Sequence, residues 1–300
     1  AVEKEFVTTT GAGLAHLARP NTSSPAAVVR YVYGGDLGGN LWRFDLDAPT
    51  LSTPVRVAAV TAANGSAQPI TVPPVVQPVQ GSTTKMWVYF GTGQYFSMDD
   101  VPGSGSSNAT AHQVQTIYGV VDDTAAASPA LPDVRGTNGS GCPSGGGNGE
   151  LVCQSVTASG GAYTISHNAV DLSSRRGFYL DIPLAGGRVN TQAALTKGGT
   201  LVMVVNQPSN AICNPGGTST LFQLSGATGG AIPKTHGGSM YFDAVFPIAD
   251  ALSSRPVIVT TSTGTRAIVR LSDKTTQSRA IDETAGTAPA FRRGYMRAVD

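Results

Sequence analysis

Residues 31–46 read YVYGGDLGGNLWRFDL. A stretch this rich in glycine is either the phosphate loop of a nucleotide-binding enzyme or a tight turn between two strands. The dinucleotide fingerprint needs a strand, a glycine turn and then a helix. Here the turn runs into NLWRFDL, where Trp42, Phe44 and Leu46 alternate with Leu41, Arg43 and Asp45. That is the period of two of a strand. We read YVY and NLWRFDL as a β-hairpin around GGDLGGN, with Gly38 and Gly39 supplying the positive φ angles of the turn. Gly35, Asp36, Gly39, Asn40, Trp42 and Phe44 are the marks of this unit. Trp42 and Phe44 are expected to be buried between neighbouring sheets, and the acids to end strands.

Strand-like units of this kind recur along the chain. KMWVYFGTGQYFS (85–97) reads as a strand, a Gly-Thr-Gly turn and a second aromatic strand. QTIYGVVDD (115–123) and RRGFYLDIP (175–183) are single strands. GTLVMVVNQPS (199–209) and STLFQLSGATGG (219–230) pair around an insertion, and RPVIVTTSTGTRAIVRLS (255–272) is again strand, turn, strand. The units return irregularly, about every 40–55 residues, the spacing of propeller blades. Long polar insertions separate them near 99–115, 124–160 and 206–218, and segments of that length are functional, disordered or stapled. TTTGAGLAHLARP is the one stretch that suggests a short helix, ending before Pro20. The fold class is therefore all-β, a propeller of about four to five blades with long loop insertions. Residues 1–300 form one domain or the C-terminal portion of one.

Composition agrees. The 37 glycines and 19 prolines favour turns over helices, and 40% apolar residues suffice for a large core. Charged residues are only 13%, against ~25% in ordinary soluble domains. A net charge of +1 with scattered cations argues against nucleic acid, which needs clustered Lys and Arg. No apolar run approaches the roughly 18 residues of a membrane helix. The start, AVEKEF, lacks Met and reads as a processed product or a fragment.

Cys142 and Cys153 bracket a glycine-rich excursion that cannot order itself by burial, and a disulfide between them is expected. Cys213 is left over, a free thiol or one half of a bridge to a part not present here. The cysteines fit no zinc spacing. A loop disulfide on a low-charge chain points to an oxidising, extracytoplasmic setting.

Catalytic motifs are not found. GGSMY is the nearest approach to G-x-S-x-G, with Tyr241 in place of the last glycine. His16, His112, His167 and His236 form no close pair. Asp45 and Asp47, Asp99 and Asp100, and Asp122 and Asp123 are too few in each place for an EF-hand-like calcium loop and read as strand-end acids. A carboxylate pair for glycoside hydrolysis cannot be chosen from sequence, because separation in space defines it. Sequons at Asn21, Asn64, Asn108 and Asn138 are what chance gives in such a chain.

The hairpin stretch closely resembles the VYAGDLxGNLWRFDL signature of the C-terminal propeller of PilY-type proteins, bacterial type IV pilus biogenesis factors and pilus-tip adhesins. WVYFGTGQYFSMDD is similar to the family's VYFGTGxYL segment. RRGFYLDIPLAGGRVNTQAAL resembles GWYLDLP…GERVxxxPxL, and NQPSNAICNPGGTSTLFQLSGATGG resembles P…xPCxxGGxSxLYxLDxxTGG. RRGYMRAV near the end is similar to GRxSWREL. These five blocks keep the family order over residues 31–299.

The resemblance implies a modified quinoprotein-like propeller of seven blades, whose N-terminal blades precede this chain. It implies export through the periplasm to the pilus tip or outer cell surface. It implies a role in pilus assembly, pilus extension, twitching motility and attachment, without catalysis. The implied partners are minor pilins or other pilus components, a host or abiotic surface, and the protein's own N-terminal portion or a second chain. One departure concerns metal. The family's D-x-D-x-D-G-x-x-D calcium loop would precede Tyr31, but no acid stands between Ala18 and Gly35, so no cofactor or metal ligand is expected there. Two competing classes are a quinoprotein dehydrogenase relative, suggested by the LSGATGG turn, and a generic secreted propeller that binds carbohydrate or protein. The first lacks a cation-anchored pocket.

Overall fold

The computed structural model describes residues 5–282 except 22–28, 49–51, 104–107, 127–131, 138–140, 160–161, 210–215, 237–238 and 242–243. Four sheets, antiparallel apart from one edge strand of the second, follow one another along the chain. The first is the meander β1 (Leu14–Ala18), β2 (Tyr31–Asp36), β3 (Asn40–Asp45) and β4 (Val55–Ala59). The second begins with β5 (Val75–Pro78), β6 (Lys85–Gly91) and β7 (Thr116–Asp123). An insertion then supplies β8 (Val152–Gln154) and a two-stranded ribbon, β9 (Val156–Ser159) with β10 (Ala162–Ile165), before β11 (Gly177–Asp181). Strand β11 pairs antiparallel with β7 and parallel with β8, so β8 forms the outer edge of a five-stranded sheet.

The third sheet runs β12 (Ala194–Leu195), β13 (Thr200–Pro208), β14 (Gly217–Ser225), then β17 (Val245–Ala249) after a ribbon of β15 (Lys234–His236) and β16 (Ser239–Tyr241). The fourth is β18 (Val257–Thr261), β19 (Gly264–Arg270) and β20 (Thr276–Ile281). The end of β1, β5 and β12 line one cavity, so the first strands of successive sheets face a common axis. That is the propeller plan, with four blades in the described residues.

Alternation along the strands explains the stacking. In β6, Trp87 and Tyr89 point towards the third sheet, whereas Val88 and Phe90 point towards the first. Strand β7 divides Ile117 and Val121 from Tyr118 and Val120 in the same way, and β11 divides Phe178 and Leu180 from Tyr179. In β13, Leu201, Met203 and Val205 face the second sheet, while Val202 and Val204 face the fourth. A sheet covered on both faces needs apolar residues at every position. This is why its strands read as continuous runs such as WVYF and LVMVV.

Three local expectations are corrected. GLAHLA is strand β1, because the free edge of β2 takes up Leu14 and Leu17 opposite Asp36 and Gly34. GTGQYFS gives no second strand after β6. Its backbone crosses to other elements instead, with Thr92 N–H donating to Thr116 O and Gly93 N–H to Pro69 O. The β2–β3 turn has three residues, Leu37–Gly39, closed by Gly39 N–H to Asp36 O at 3.2 Å. Only Gly39 (φ 78°) has a positive φ there; Gly38 does not. A three-residue loop ending in a left-handed residue is a standard hairpin alternative to the two-residue turn.

Candidate functional site

The signature hairpin is organised around one carboxylate. Asp36 is 1% exposed. It accepts from Asn40 N–H (2.9 Å), Asn40 Nδ2, Trp42 Nε1 (2.8 Å) and Thr10 Oγ1 (3.0 Å). A buried carboxylate without such donors would be expensive, so Asp36, Asn40 and Trp42 work as a unit. Asp36 does end strand β2, as the sequence suggests, and it does so buried and fully bonded. A Cβ on Gly39 would lie 2.6 Å from Val60 O, and one on Gly35 would lie 2.2 Å from Ile70 Cγ2. These glycines allow the connection after β4 to lie against the turn.

Trp42 and Phe44 are buried, but between no pair of described sheets. They share a face with Val32 and Gly34, while Tyr33, Leu41 and Arg43 point the other way into the cluster shared with the second sheet. Phe44 is covered by the N-terminal segment, where Phe6 meets it edge-on at 5.4 Å. Leu46 is only partly buried, and Asp45 and Asp47 sit at the surface beside Arg30.

Where the first and second sheets meet, charged groups are fully buried. Arg43 (3% exposed) donates through Nη1 to both oxygens of Asp122 (0%) at 2.9 and 2.7 Å, and Tyr33 Oη donates to the same carboxylate at 2.8 Å. Arg43 also donates to Ala126 O at 2.6 Å. Burial, then the Asp122 charge, pushes the Tyr33 hydroxyl far above its usual range. A second network joins Arg135 to Asp181 (2.7 Å), Asp181 to Thr116, Thr116 to Gln68 and Gln68 to Tyr118. The expectation that Asp122 is a solvated strand end is thus wrong. The large apolar residues around it in TIYGVVDD could have signalled burial, but no partner for the charge is visible nearby in sequence.

The connection between β6 and β7 is a built loop. Asp100, 2% exposed, accepts from Phe96 N–H (2.7 Å), Ser97 N–H (3.1 Å), Gln94 Nε2 (2.6 Å) and Asn108 Nδ2. Burial pushes this carboxyl up, but the four hydrogen bonds outweigh it and hold it below the usual carboxylate range. Ser97 and Asp100 form a capping box on the short turn Met98–Asp100, and Asn108 caps helix α1 (Ala109–His112). Arg188, from the link between β11 and β12, reaches into the loop. It donates to Gln94 O (2.8 Å), Asp100 O, Ala111 O and Gly186 O. Its own burial lowers its pKa from the usual arginine value. The loop thus fixed presents Phe96 and Met98, 68% and 60% exposed, with Val114 exposed nearby.

This loop shares one end of the sheets with the Leu37–Gly39 turn and with residues 62–68, joined through Gln68 Nε2 to Val114 O at 2.7 Å. Elsewhere, Cys142 and Cys153 form a disulfide, with Cα atoms 5.5 Å apart, that ties the long insertion to β8. Cys213, Asn138, the block RRGYMRAV and the segment 22–28 before Tyr31 lie outside the described residues. His16 and His112 are exposed on separate elements, His167 Nδ1 lies 2.8 Å from Ala231 O, and the side chain of His236 lies outside the described residues. Asn21 and Asn64 are exposed. Among the described residues no three His, Cys, Asp or Glu side chains gather where they could hold a metal. No described helix is long and apolar enough to cross a membrane.

Residues 4–142 match the family model of the PilY1 beta-propeller domain. The chain is 26% identical over 240 residues to a type IV pilus biogenesis factor PilY1 homolog of Xylella fastidiosa, covering 73% of this chain and 14% of that protein. It is 30% identical over 239 residues to type IV pilus biogenesis factor PilY1 of Pseudomonas aeruginosa, covering 68% of this chain and 20% of the relative. It therefore spans a fifth or less of the length of these curated relatives. The fold is similar to that of the crystallised C-terminal domain of Pseudomonas aeruginosa PilY1. The TM-score is 0.62 at 19% identity, over 89% of this chain and 60% of the other. The hairpin around Asp36, the succession of two-faced sheets and these matches agree: the chain is a β-propeller domain of the PilY1 family.

Proposed function

We propose that this chain belongs to a type IV pilus biogenesis factor and serves it as a non-enzymatic scaffold. The observation that carries this reading is the set of matches to PilY1 proteins, two of which are named as type IV pilus biogenesis factors. The fixed loop that presents Phe96 and Met98 supports it, since exposed aromatic and Met side chains on a rigid support are suited to protein contact. In this reading the domain works outside the cytoplasm, exported through the periplasm to the pilus tip or outer cell surface. It contacts minor pilins or other pilus components and the remainder of its own protein, and it supports pilus extension, twitching motility and attachment to host or abiotic surfaces. It uses no cofactor, and no calcium is bound by the stretch before Tyr31, which holds no acid from Ala18 to Gly35.

The test is deletion of the full reading frame in its own host, followed by complementation. Loss of surface pili and of twitching, restored by the wild-type gene, is the expected result. Restoration should fail with Phe96→Ser/Met98→Ser at unchanged protein level. A deletion strain with normal piliation, twitching and attachment would overturn the reading.

A further inference from the structure

A cavity among the described residues lies away from the Phe96 loop, on the axis side of the sheets. It has a volume of about 440 Å³ and is walled by Leu17 and Arg19 after the start of β1, by Pro74 and Val76 of the second sheet, and by Ala193 and Leu195 of the third. That volume falls in the range of ligand pockets, roughly 300–1,000 Å³. The walls are mainly apolar or small, and no carboxylate stands among the residues lining it. Arg19 is exposed at its rim, and no described ion pair uses it. Arg255 adds a second cation beside the rim, through Nη1 to Gln192 Oε1 at 3.2 Å.

Three edge strands line this space, β1, β5 and β12, and the last two differ. The edge of β5 is already occupied: Pro20 bridges Val76 in parallel, and Asn21 N–H donates to Val76 O at 2.7 Å. Among the described residues the edge of β12 is open, since β12 ends the order of its sheet. Its parity can be read from the ladder. Thr196 N–H bonds Thr200 O, and Leu195 lies opposite Leu201 and Ala194 opposite Val202. In an antiparallel pair, hydrogen-bonded and non-bonded positions alternate. Ala194 therefore spends its N–H and C=O on β13, whereas those of Leu195, and of Ala193 two residues earlier, point into the cavity. Unpaired groups at alternate residues are the template on which an extended chain adds as a strand.

We propose that this cavity binds an extended segment of a partner protein, added to β12 at Ala193 and Leu195, with small or apolar side chains against Pro74 and Val76 and a carboxylate directed to Arg19. The charge at the rim selects an acidic segment over a basic one. This site is separate from the Phe96 loop and does not rest on the pilus reading.

The test uses two fluorescein-labelled peptides, VEVEVE and VKVKVK, titrated against the domain by fluorescence anisotropy. The acidic peptide should bind at least tenfold more tightly, and Arg19→Glu should abolish or reverse that preference. Leu195→Pro removes only the N–H that faces the cavity and leaves the bonds to β13 in place, because proline is tolerated on a strand edge. It should weaken the acidic peptide at least tenfold at an unchanged melting temperature. Equal affinity for the two peptides, no binding of either, or a preference insensitive to Arg19→Glu would overturn the proposal. Arg19 is an exposed side chain, so its variant decides the matter even if Leu195→Pro does not fold.

Discussion

The junction between the first and second sheets and the junction between the second and third solve the same packing problem by different means. The first holds Arg43, Asp122 and Tyr33 inside an apolar cluster, with a second charged network through Arg135 and Asp181 beside it. The second is filled by Trp87, Tyr89, Phe178, Met203 and Phe222. Polar links across it are uncharged, such as Tyr89 Oη to Gly226 O at 2.8 Å and Gln154 Nε2 to Thr228 O at 2.8 Å. Where a buried cation does approach that junction, at Arg188, carbonyl oxygens hold it and no described carboxylate bonds it. Aromatic burial gains free energy roughly in proportion to area and tolerates small shifts. A buried ion pair gains little net energy but fails badly when one partner is lost. The first junction is thus the one that fixes how two blades sit on each other, and the second supplies more of the cohesion.

The largest expected effect follows from breaking the pair on one side. Asp122→Ala strands the Arg43 guanidinium and the Tyr33 hydroxyl and should cost about 3–5 kcal/mol in denaturant unfolding. The triple change Tyr33→Phe, Arg43→Met and Asp122→Leu leaves no charge behind and should restore most of that loss. A triple variant no more stable than Asp122→Ala would mean that the polar contacts themselves carry the junction. At the other junction, Met203→Ala removes buried thioether surface from among the aromatics. It should cost about 3 kcal/mol, with no dependence on ionic strength or on the state of Asp122. Non-additivity between Asp122→Ala and Met203→Ala beyond about 0.5 kcal/mol would show that the two junctions are coupled through the second sheet.

The same contrast marks how far the sequence could be read. Strands such as β6, β7, β13 and β14 were legible because apolar runs bounded by turns have few other solutions. The hairpin was legible because Gly39 and the alternation after it act locally. Asp36, Asp122 and Asp100 were not. Each looks like a surface acid in one dimension, and its donors come from residues 3 to 89 positions away. Strand β1 was missed for a similar reason: LAHLA has helical spacing by itself, and only the edge of β2 makes it extended. The placement of Trp42 and Phe44 was half legible. Burial followed from their size, but which face they pack on depends on Phe6 and the segment around it.

The smallest effect concerns the loop at the end of the second junction, and its sign can be worked out. The Asp100 carboxyl is held below the usual carboxylate range by its donors, Gln94, Phe96, Ser97 and Asn108, against the opposing effect of burial. A group whose folded pKa is depressed adds stability that is complete above its unfolded value and is lost as pH falls through the folded one. The loop should therefore be insensitive to pH from neutrality down to about pH 5. Below that it should loosen, with faster amide exchange at Phe96 and Ser97. Asp100→Asn replaces a charged acceptor by a neutral one and should cost about 1 kcal/mol near neutrality. It should also abolish the pH dependence of those two amides while leaving exchange in β7 and β11 unchanged. If the acid transition at Phe96 and Ser97 persisted in Asp100→Asn, the loop would be held chiefly by Arg188. The contrast between a junction fixed by carboxylates and one fixed by carbonyls would then extend to its surface loop.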